Sequence, residues 1–435
     1  MSRLLIKDCI VVPMEKRADD KGDLYYPGEI AIEGSFIRHV GRPGTIGADF
    51  RPDRVLDGRG LVALPGLVNA HTHAAMTLLR GYADDLPLMQ WLEEKIWPLE
   101  GKLNSKDVYW GTKLATLEML RAGITAFADM YFFMEDAARA VEESGIRACL
   151  SRGLIGLGDQ PEKGLEENID LIEKWHQQAH GRITVMLGPH APYTCPPAYL
   201  KKVLKIAEEY QVGLHIHLAE TEEEVRRIEG QYGKRPVELM EEVGLFQRQV
   251  LAAHCVHVNE KEIQILADAR VGVVHNPESN MKLASGIAPV PEMIQAGIEV
   301  ALGTDGAASN NNLEIFGEMR SAAFLHKVNK MDPTVLSSYQ VLEMATRNGA
   351  RALGLEQSGI LKEGYKADVI LVDFRKPHLS PIHDVPAHLV YAAQAGDVQT
   401  VIIDGRVVVD KGQVLTMDEE EIITQVKERV SRLIS

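Results

Sequence analysis

Short apolar runs alternate with longer amphipathic segments along most of the chain. Each run has the length of one buried strand, and the segments between them carry apolar residues at the three- and four-residue steps of a helix. Strands that are apolar on both faces are typical of a parallel sheet, and eight strand–helix units close naturally into a (β/α)8 barrel. An open doubly wound sheet is the alternative, although the first run is not followed by the glycine-rich phosphate loop of that fold. The eight runs are Leu61–His73, Ile124–Met130, Arg147–Leu154, Ile183–His190, Gly213–Glu220, Gln249–Val256, Val271–Pro277 and Val300–Gly306.

Helical periodicity is clear in several of the intervening segments. It predicts helices at Lys106–Ala122, Glu135–Ser144, Leu165–Ala179, Pro197–Tyr210, Glu260–Ala269 and Val290–Ala296.

The two ends of the chain have a different pattern, in which polar and apolar residues alternate around glycine-rich turns. This alternation indicates antiparallel strands, and the pair Asp404-Gly405 suits a tight hairpin turn. We therefore predict an α/β protein with a TIM-like barrel over residues 61–358 and a small β-sandwich formed by residues 1–60 and 359–435, the latter including a closing helix at Asp418–Leu433. The alternating segments are Leu4–Pro13, Glu29–Val40, Arg54–Leu61, Asp368–Phe374 and Val398–Val409.

Composition narrows the possible partners. The 435-residue chain has a formal net charge of −15, which disfavours a nucleic acid or an anionic membrane as a partner. The cysteines lack the spacing of a disulfide framework or of a cysteine zinc cluster, and we expect buried thiols. No apolar stretch approaches the ~18 residues of a membrane span, and no signal-peptide cleavage site is evident, so we expect a cytoplasmic protein. A homo-oligomer is compatible with the sequence. The cysteines are Cys9, Cys149, Cys195 and Cys255.

Polar residues recur where the apolar runs end. Residues two apart on a strand share a face, so His71 and His73 project into one space, as do His215 and His217, either of which could be a ligand. In a barrel all these strand ends meet at the C-terminal face, where active sites lie. Histidines and a carboxylate from several strands would bind zinc or ferrous iron. The strand-end candidates are His71, His73, His215, His217, Glu220, His254 and Asp305.

This arrangement resembles the amidohydrolase superfamily over nearly the whole chain. Members of that superfamily carry HxH on strand one, histidines on strands five and six, and aspartate on strand eight, in a distorted (β/α)8 barrel with a flanking β-sandwich. Two-metal members add a bridging carboxylate or carbamylated lysine, usually at the end of strand four, but here that strand ends in Gly188-Pro189-His190. The resemblance therefore implies one divalent metal per subunit, with His254 as a base or orienting group. The implied ligands are His71, His73, His217 and Asp305.

The step from His217 to Glu220 resembles the HxxE of members that deaminate aromatic heterocycles. A bound metal lowers the pKa of water to about 7 and so supplies hydroxide at neutral pH. Attack on an aromatic carbon that bears an amino group also requires a proton on the adjacent ring nitrogen, which a carboxylic acid can donate. We expect Glu220 to be that acid, while Asp305 and His254 accept the water proton and hold the hydroxide.

Further segments resemble the 5′-methylthioadenosine/S-adenosylhomocysteine deaminase family. By this resemblance Glu100 binds the ribose diol, and Arg152 and His190 make further substrate contacts. Arginine suits the carboxylate of a homocysteine tail, since it binds carboxylates bidentately. Some relatives have a second arginine after strand three, where this chain has Lys163, so the preferred 5′ substituent stays open. The matching segments are His73–Gly81, Asp84–Leu88, Trp91-Leu92, Ile96–Glu100 and His275–Gly286.

The expected activity is hydrolytic deamination of adenine nucleosides with a 5′-thioether: 5′-methylthioadenosine, S-adenosylhomocysteine, and adenosine as a further substrate. Guanine, cytosine and triazine hydrolysis are the alternatives within the same superfamily. Glu100 argues against them, because a diol-binding carboxylate has no purpose for a substrate without ribose. A scaffold without catalysis is a third class, but such members lose metal ligands that this sequence keeps.

Overall fold

The computed structural model describes residues 2–15, 24–47, 49–158 and 160–434. Its strands are β1 (Arg3–Val11), β2 (Tyr25–Glu33), β3 (Phe36–Gly41), β4 (Arg54–Asp57), β5 (Leu61–Pro65), β6 (Leu67–Thr72), β7 (Ile124–Tyr131), β8 (Arg147–Leu154), β9 (Ile183–Pro189), β10 (Leu214–Leu218), β11 (Val250–His254), β12 (Gly272–His275), β13 (Ala301–Leu302), β14 (Val369–Asp373), β15 (Val398–Ile403), β16 (Arg406–Asp410) and β17 (Gln413–Val414).

The helices include several single turns. They are α1 (Leu88–Trp91), α2 (Trp97–Glu100), α3 (Ser105–Arg121), α4 (Met134–Ser144), α5 (Pro161–Trp175), α6 (Gln178–Gly181), α7 (Pro197–Tyr210), α8 (Glu222–Tyr232), α9 (Pro236–Val243), α10 (Glu260–Asp268), α11 (Pro277–Lys282), α12 (Val290–Gln295), α13 (Ile315–Lys330), α14 (Ser338–Ala345), α15 (Arg347–Ala352), α16 (Val385–Tyr391) and α17 (Glu419–Ile434).

Within the described residues, eight strands form one parallel sheet, in the order β6 to β13. Every residue of β6, β7 and β10 is buried, as expected for strands covered on both faces. The backbone N–H of Asp305 donates to the carbonyl of His71 at 3.0 Å, which links the end of the last strand to the first. The predicted barrel is confirmed, and each of the eight apolar runs corresponds to one of its strands, although β7 extends one residue beyond its run, to Tyr131.

The other strands of the described chain form a mixed sheet, in which β5 joins the two ends of the sequence. β5 pairs antiparallel with β14, placing Leu64 opposite Ile370, and parallel with β1, placing Val62 opposite Ile10. Residues from both ends therefore share one core, as the predicted fold class requires. The prediction that all these strands are antiparallel is wrong, because β4 and β5 both run parallel to β1.

The first apolar run is divided between the two sheets at Gly66. Its first half is β5 of the mixed sheet, and its second half is β6 of the barrel. A Cβ on Gly66 would lie 2.0 Å from Oγ1 of Thr125, so only glycine fits where the chain passes between the sheets. The barrel strands thus begin at Leu67 and not at Leu61.

The chain forms two compact units, whose ranges differ from those expected from the sequence. The closing helix α17 groups with the barrel residues and not with the C-terminal strands, and Arg432 near its end pairs with Asp107. The first unit comprises the described residues of Met1–Asn69, Leu117–Ala126 and Glu314–Asp418; the second comprises Ala70–Thr116 and the described residues of Phe127–Leu313 and Glu419–Ser435.

The predicted helices correspond to α3, α4, α5, α7, α10 and α12. The largest difference is in α5, which starts at Pro161 and ends at Trp175, because proline at the first turn favours an early helix start. Helices α8, α9, α13, α14, α15 and α16 were not anticipated, and neither were the short helices α1, α2 and α11. In the part of the chain that the structure describes, no helix combines the length and apolarity needed to cross a bilayer.

Candidate active site

His73 and His217 face each other across the carboxyl ends of β6 and β10. Their Nε2 atoms lie 3.2 Å apart, while Nδ1 of His73 is 2.6 Å from the carbonyl oxygen of Met130 and Nδ1 of His217 is 2.8 Å from that of His190. A carbonyl accepts only a donated proton, so each neutral ring carries its hydrogen on Nδ1. The two Nε2 atoms are then both acceptors, and a cation between them would satisfy both.

His71 and Asp305 complete the same group. Nε2 of His71 is buried without a hydrogen-bond partner and lies 3.4 Å from Oδ1 of Asp305, and Nε2 of His73 is 3.2 Å from the same oxygen. The other carboxylate oxygen of Asp305 accepts hydrogen bonds from the hydroxyls of Ser279 and Ser309 at 2.7 and 2.8 Å. The serines fix the carboxylate so that Oδ1 faces the histidines.

These donor atoms fit a divalent metal. Ligand atoms of His71, His73 and His217 lie within 4.8 Å of one another, and so do those of His71, His254 and Asp305. Imidazole nitrogens with one carboxylate are the ligands that zinc and ferrous iron accept. The site is therefore a metal site built from three or more histidines and an aspartate.

The electrostatics of the site suit a bound cation. Burial lowers the pKa of His71 to about 4 and holds that of His217 well below its usual value, so both rings are neutral ligands. Burial acts in the same direction on His73, but the Asp305 carboxylate outweighs it and raises the pKa of His73 to about 9. Burial raises the pKa of Asp305, yet contacts with His71 and His73 bring it well below the usual range. Asp305 thus favours positive charge at this point.

The strand pattern of the fifth apolar run leaves open which of its two histidines is a ligand, whereas the resemblance implies His217. In the structure the two rings have different neighbours. Nε2 of His215 lies 2.8 Å from Nδ1 of His71, on the side of that ring away from Asp305. His215 therefore orients His71, as the outer partners of metal-bound histidines commonly do. His217, two residues later, faces the metal site directly.

His254 and Glu220 lie beside the metal site. Nδ1 of His254 is 2.9 Å from the side-chain oxygen of Asn280, and its Nε2 is 3.9 Å from Oε2 of Glu220. Burial raises the pKa of Glu220, an effect that the charge of His254 opposes and that of Asp305 reinforces. Ser285 approaches Oε1 of Glu220 at 3.5 Å.

Three residues at these strand ends have left-handed backbone conformations that non-glycine residues rarely adopt. They are Ala219 (φ 51°), His254 (φ 73°) and Asp305 (φ 60°), and Cys255 after His254 is a fourth (φ 46°). Such strain persists only where surrounding structure imposes it, and it concentrates at functional sites.

One cavity joins the metal site to an apolar wall and to two further polar residues. Its floor contains His73, His217, Glu220, His254 and Asp305, and its walls include Leu88, Trp91, Leu92, Trp97 and Leu283. Glu100 and His190 also line this cavity.

The environments of these two polar residues shift their pKa values. Burial raises the pKa of the Glu100 carboxyl, while the nearby Tyr131 hydroxyl acts to lower it. Nδ1 of His190 bonds the hydroxyl of Thr194 at 2.9 Å, and burial lowers the pKa of His190 to about 4.

Arg152 lies apart from this cavity, in a neighbouring one. Its Nε donates to Oε2 of Glu167 at 2.6 Å, and its guanidinium stacks 4.9 Å from the ring of Phe132. Lys163 lines the same neighbouring cavity. Phe132 lines both cavities, so Arg152 borders the site through that ring.

A family model described as the amidohydrolase family matches residues 62–408. The chain belongs to this family. The metal site lies where the barrel strands end, and β9 ends in Leu187-Gly188-Pro189.

Individual relatives resemble this amidohydrolase over its whole length. A protein of Pelotomaculum thermopropionicum named 5-methylthioadenosine/S-adenosylhomocysteine deaminase is 57% identical over 435 residues, 100% of both chains. A solved adenosine deaminase from Xanthomonas campestris with bound zinc is 36% identical with a TM-score of 0.95, covering 99% of this chain and 98% of its own. An atrazine chlorohydrolase from Arthrobacter aurescens complexed with zinc is 28% identical with a TM-score of 0.90, covering 98% and 100%.

Several residues that hold the active-site side chains in place could not be identified from the sequence. Glu224 is buried, and its two carboxylate oxygens accept the backbone N–H groups of Ala219 and Glu220, both at 2.9 Å. It sits in the acidic run Glu222–Glu224, which resembles an exposed helix start. Ser279 and Asn280 lie within the segment His275–Gly286, which resembles the deaminase family, but nothing in the sequence assigns them to Asp305 and His254.

Proposed function

We propose that this amidohydrolase deaminates adenine nucleosides carrying a 5′-thioether, releasing ammonia and the inosine analogue. The substrates would be 5′-methylthioadenosine and S-adenosylhomocysteine, with adenosine as a third. The observation that carries the proposal is one cavity that holds the metal site, the Glu220 carboxyl and the Glu100 carboxyl together. The name of the 57% identical relative supports the same substrates.

His71, His73, His217 and Asp305 would hold one metal per subunit, and we propose zinc, with ferrous iron as the alternative. Zinc is bound in both of the similar solved structures described above. When bound, the metal would supply a nucleophile at neutral pH by lowering the pKa of water.

Glu220 would donate a proton to the purine nitrogen next to the amino-bearing carbon. Its burial, which raises its pKa, keeps the proton on the carboxyl at a higher pH than is usual for glutamate. His254 and Asp305 would accept the water proton, which finally leaves with the amino group as ammonia. The hydrogen bond from Nδ1 of His254 to Asn280 would leave its Nε2 available on the side facing Glu220.

The substrate would lie along the cavity, with the purine above the histidines. Glu100 would accept hydrogen bonds from the ribose hydroxyls, and His190 would contact the base through Nε2, since its Nδ1 is occupied by Thr194. The apolar wall formed by Leu88, Trp91 and Trp97 suits a thioether and an aromatic ring. Arg152 would reach a carboxylate on the tail from the neighbouring cavity.

We place the reaction in the cytoplasm. All four cysteines are free and buried, and a reducing compartment preserves free thiols. A fractionation assay that finds the protein outside the cytoplasm would contradict this placement.

Ultraviolet assays of metal-analysed protein test the proposal. The panel contains adenosine, 5′-methylthioadenosine, S-adenosylhomocysteine, guanine, cytosine and a chlorotriazine. We expect the highest kcat/KM for a thioether nucleoside and loss of turnover of all nucleosides in Glu100→Ala. Preferred hydrolysis of guanine, cytosine or a chlorotriazine would reject the proposal in favour of that substrate, and turnover of none would favour a scaffold without catalysis.

A further inference from the structure

The cavity that contains Arg152 has a volume of about 340 Å³ and lies between α4 and α5. We call it the side cavity; Phe132, Met134, Arg152, Lys163, Glu167 and Asp170 are among its lining residues. Phe132 also lines the cavity that holds the metal site, so the two cavities border each other at this ring. A 5′ substituent of a bound nucleoside would have to pass this ring to enter the side cavity.

Charges of both signs line the side cavity: the carboxylates of Glu135, Asp136, Glu167 and Asp170, and the cations of Arg152 and Lys163. Arg152 pairs with Oε2 of Glu167, and Nζ of Lys163 lies 3.9 Å from Oε1 of the same carboxylate. The Arg152 side chain is 17% exposed and that of Glu167 41% exposed, so both are within reach of a ligand. A ligand that carries a carboxylate but no ammonium group would be repelled by the Glu167 carboxylate when it approaches Arg152.

A zwitterion meets no such conflict. Its carboxylate can approach Arg152 while its ammonium approaches Glu167, so that each charge lies beside one of opposite sign. We propose that Glu167 is the ligand for the ammonium group of a zwitterionic 5′-thioether tail whose carboxylate Arg152 would bind. This inference rests on the proposed nucleoside deaminase function, and it makes Glu167 a residue that determines substrate preference.

The test compares four 5′-thioether adenosines that differ only in the tail. The tails are methyl, the homocysteine zwitterion, 4-thiobutyrate, which lacks the ammonium, and 3-aminopropylthio, which lacks the carboxylate. Each is assayed with the wild-type protein, Glu167→Gln and the control Glu166→Gln, an exposed neighbour on α5 that does not line the side cavity. Thermal unfolding and metal content are measured for all three proteins.

We expect Glu167→Gln to lower kcat/KM for the homocysteine and aminopropyl tails by about tenfold, since a hydrogen bond to a charged group is lost. Turnover of the methyl tail should stay within about twofold, and the thiobutyrate tail should be unchanged or improved, because a repulsive charge is removed. Glu166→Gln should leave all four values unchanged.

Two results would overturn the inference while leaving the proposed function intact. One is an equal change for all four tails in Glu167→Gln, and the other is improved turnover of S-adenosylhomocysteine, which would make Glu167 a competitor for Arg152. If the wild-type protein turned over adenosine or guanine but no thioether nucleoside, the proposed function would fail, and this inference with it.

Discussion

Glu220 lies on a turn whose backbone is held by a second glutamate. Glu224 is 4% exposed and accepts the N–H groups of Ala219 and Glu220, and Ala219 is in the left-handed region. The Glu224 carboxylate, in the first turn of α8, thus stabilises the strained backbone at Ala219 and Glu220. We infer that Glu224 is a positioning residue that acts through Glu220.

The first prediction concerns this turn. Glu224→Gln should lower kcat about tenfold with little change in KM, since an amide oxygen can satisfy fewer of the N–H bonds and the Glu220 carboxyl then shifts. Steady-state assays of Glu224→Gln, of Glu220→Gln and of the double variant measure this coupling. The exposed neighbour in Glu223→Gln serves as control. If the fold-loss of kcat in the double variant equals the product of the fold-losses in the two single variants, Glu224 does not act through Glu220.

The second prediction concerns the proton donor itself. Glu220→Gln should keep its metal and lose about 10²-fold or more in kcat, because the amide cannot donate the proton that the ring nitrogen needs. Metal analysis and deaminase assays check both halves of this statement. Glu222→Gln, which removes an exposed carboxylate two residues away, should behave as wild type. Near-normal kcat in Glu220→Gln would rule out this residue as the acid.

Among the secondary-structure elements, the barrel strands have a common design. Their middles are buried and apolar, and the residues at their carboxyl ends carry the polar chemistry. The last barrel strand, β13, has only two residues, but backbone hydrogen bonding to the first strand continues beyond it. The N–H of Asp305 donates to the carbonyl of His71. The geometry of the metal site therefore depends on strand register.

The third prediction tests the junction between β5 and β6. Gly66→Ala should destabilise the protein by about 1–3 kcal/mol, because the new methyl group would overlap the Thr125 side chain. Urea unfolding measures the change. Gly230→Ala, in α8 with open space around it, provides the matched control and should be neutral or slightly stabilising. Equal stability of Gly66→Ala and wild type would mean that the junction adapts to the methyl group.

At the scale of the whole molecule, the metal site joins residues from three separate parts of the barrel sequence. His71 and His73 lie at the end of the first barrel strand and just beyond it, His217 lies at the end of the fifth, and Asp305 lies beyond the last. A metal bound to all of them would link the first strand to the last, and binding to the folded state alone adds stability.

The fourth prediction follows from that linkage. Removing the metal with a chelator should abolish deamination and lower Tm, and at a free metal concentration about 100 times Kd the bound ion should contribute about 2.7 kcal/mol. Metal analysis, activity and thermal unfolding are followed while zinc or ferrous iron is returned, with saturation expected at one metal per chain. Full activity in protein that holds almost no metal would refute the role of this site.

Much of the architecture could be read from local pattern. The apolar runs predicted all eight barrel strands, because a strand that is buried on both faces is apolar throughout. The alternating segments at the two ends of the chain predicted a shared second sheet, because a strand that is buried on one face alternates polar and apolar residues. The ends of elements were less certain, as α5 shows. The run from Leu61 to His73 concealed a change of sheet, since β5 and β6 are equally apolar and only the close approach of Thr125 to Gly66 separates them.

The sequence by itself determined the family, the barrel and the set of strand-end histidines and carboxylates, because residue type and spacing suffice for these. Only the tertiary structure showed His215 behind the His71 ring, gave Asp305 its two serine partners and placed Glu224 behind Glu220. It also paired Arg152 with Glu167 in a cavity of its own. Most of these contacts join residues that are distant in sequence, and the rest depend on the direction in which packing orients a side chain. The order of residues along the chain does not show which side-chain atoms come into contact.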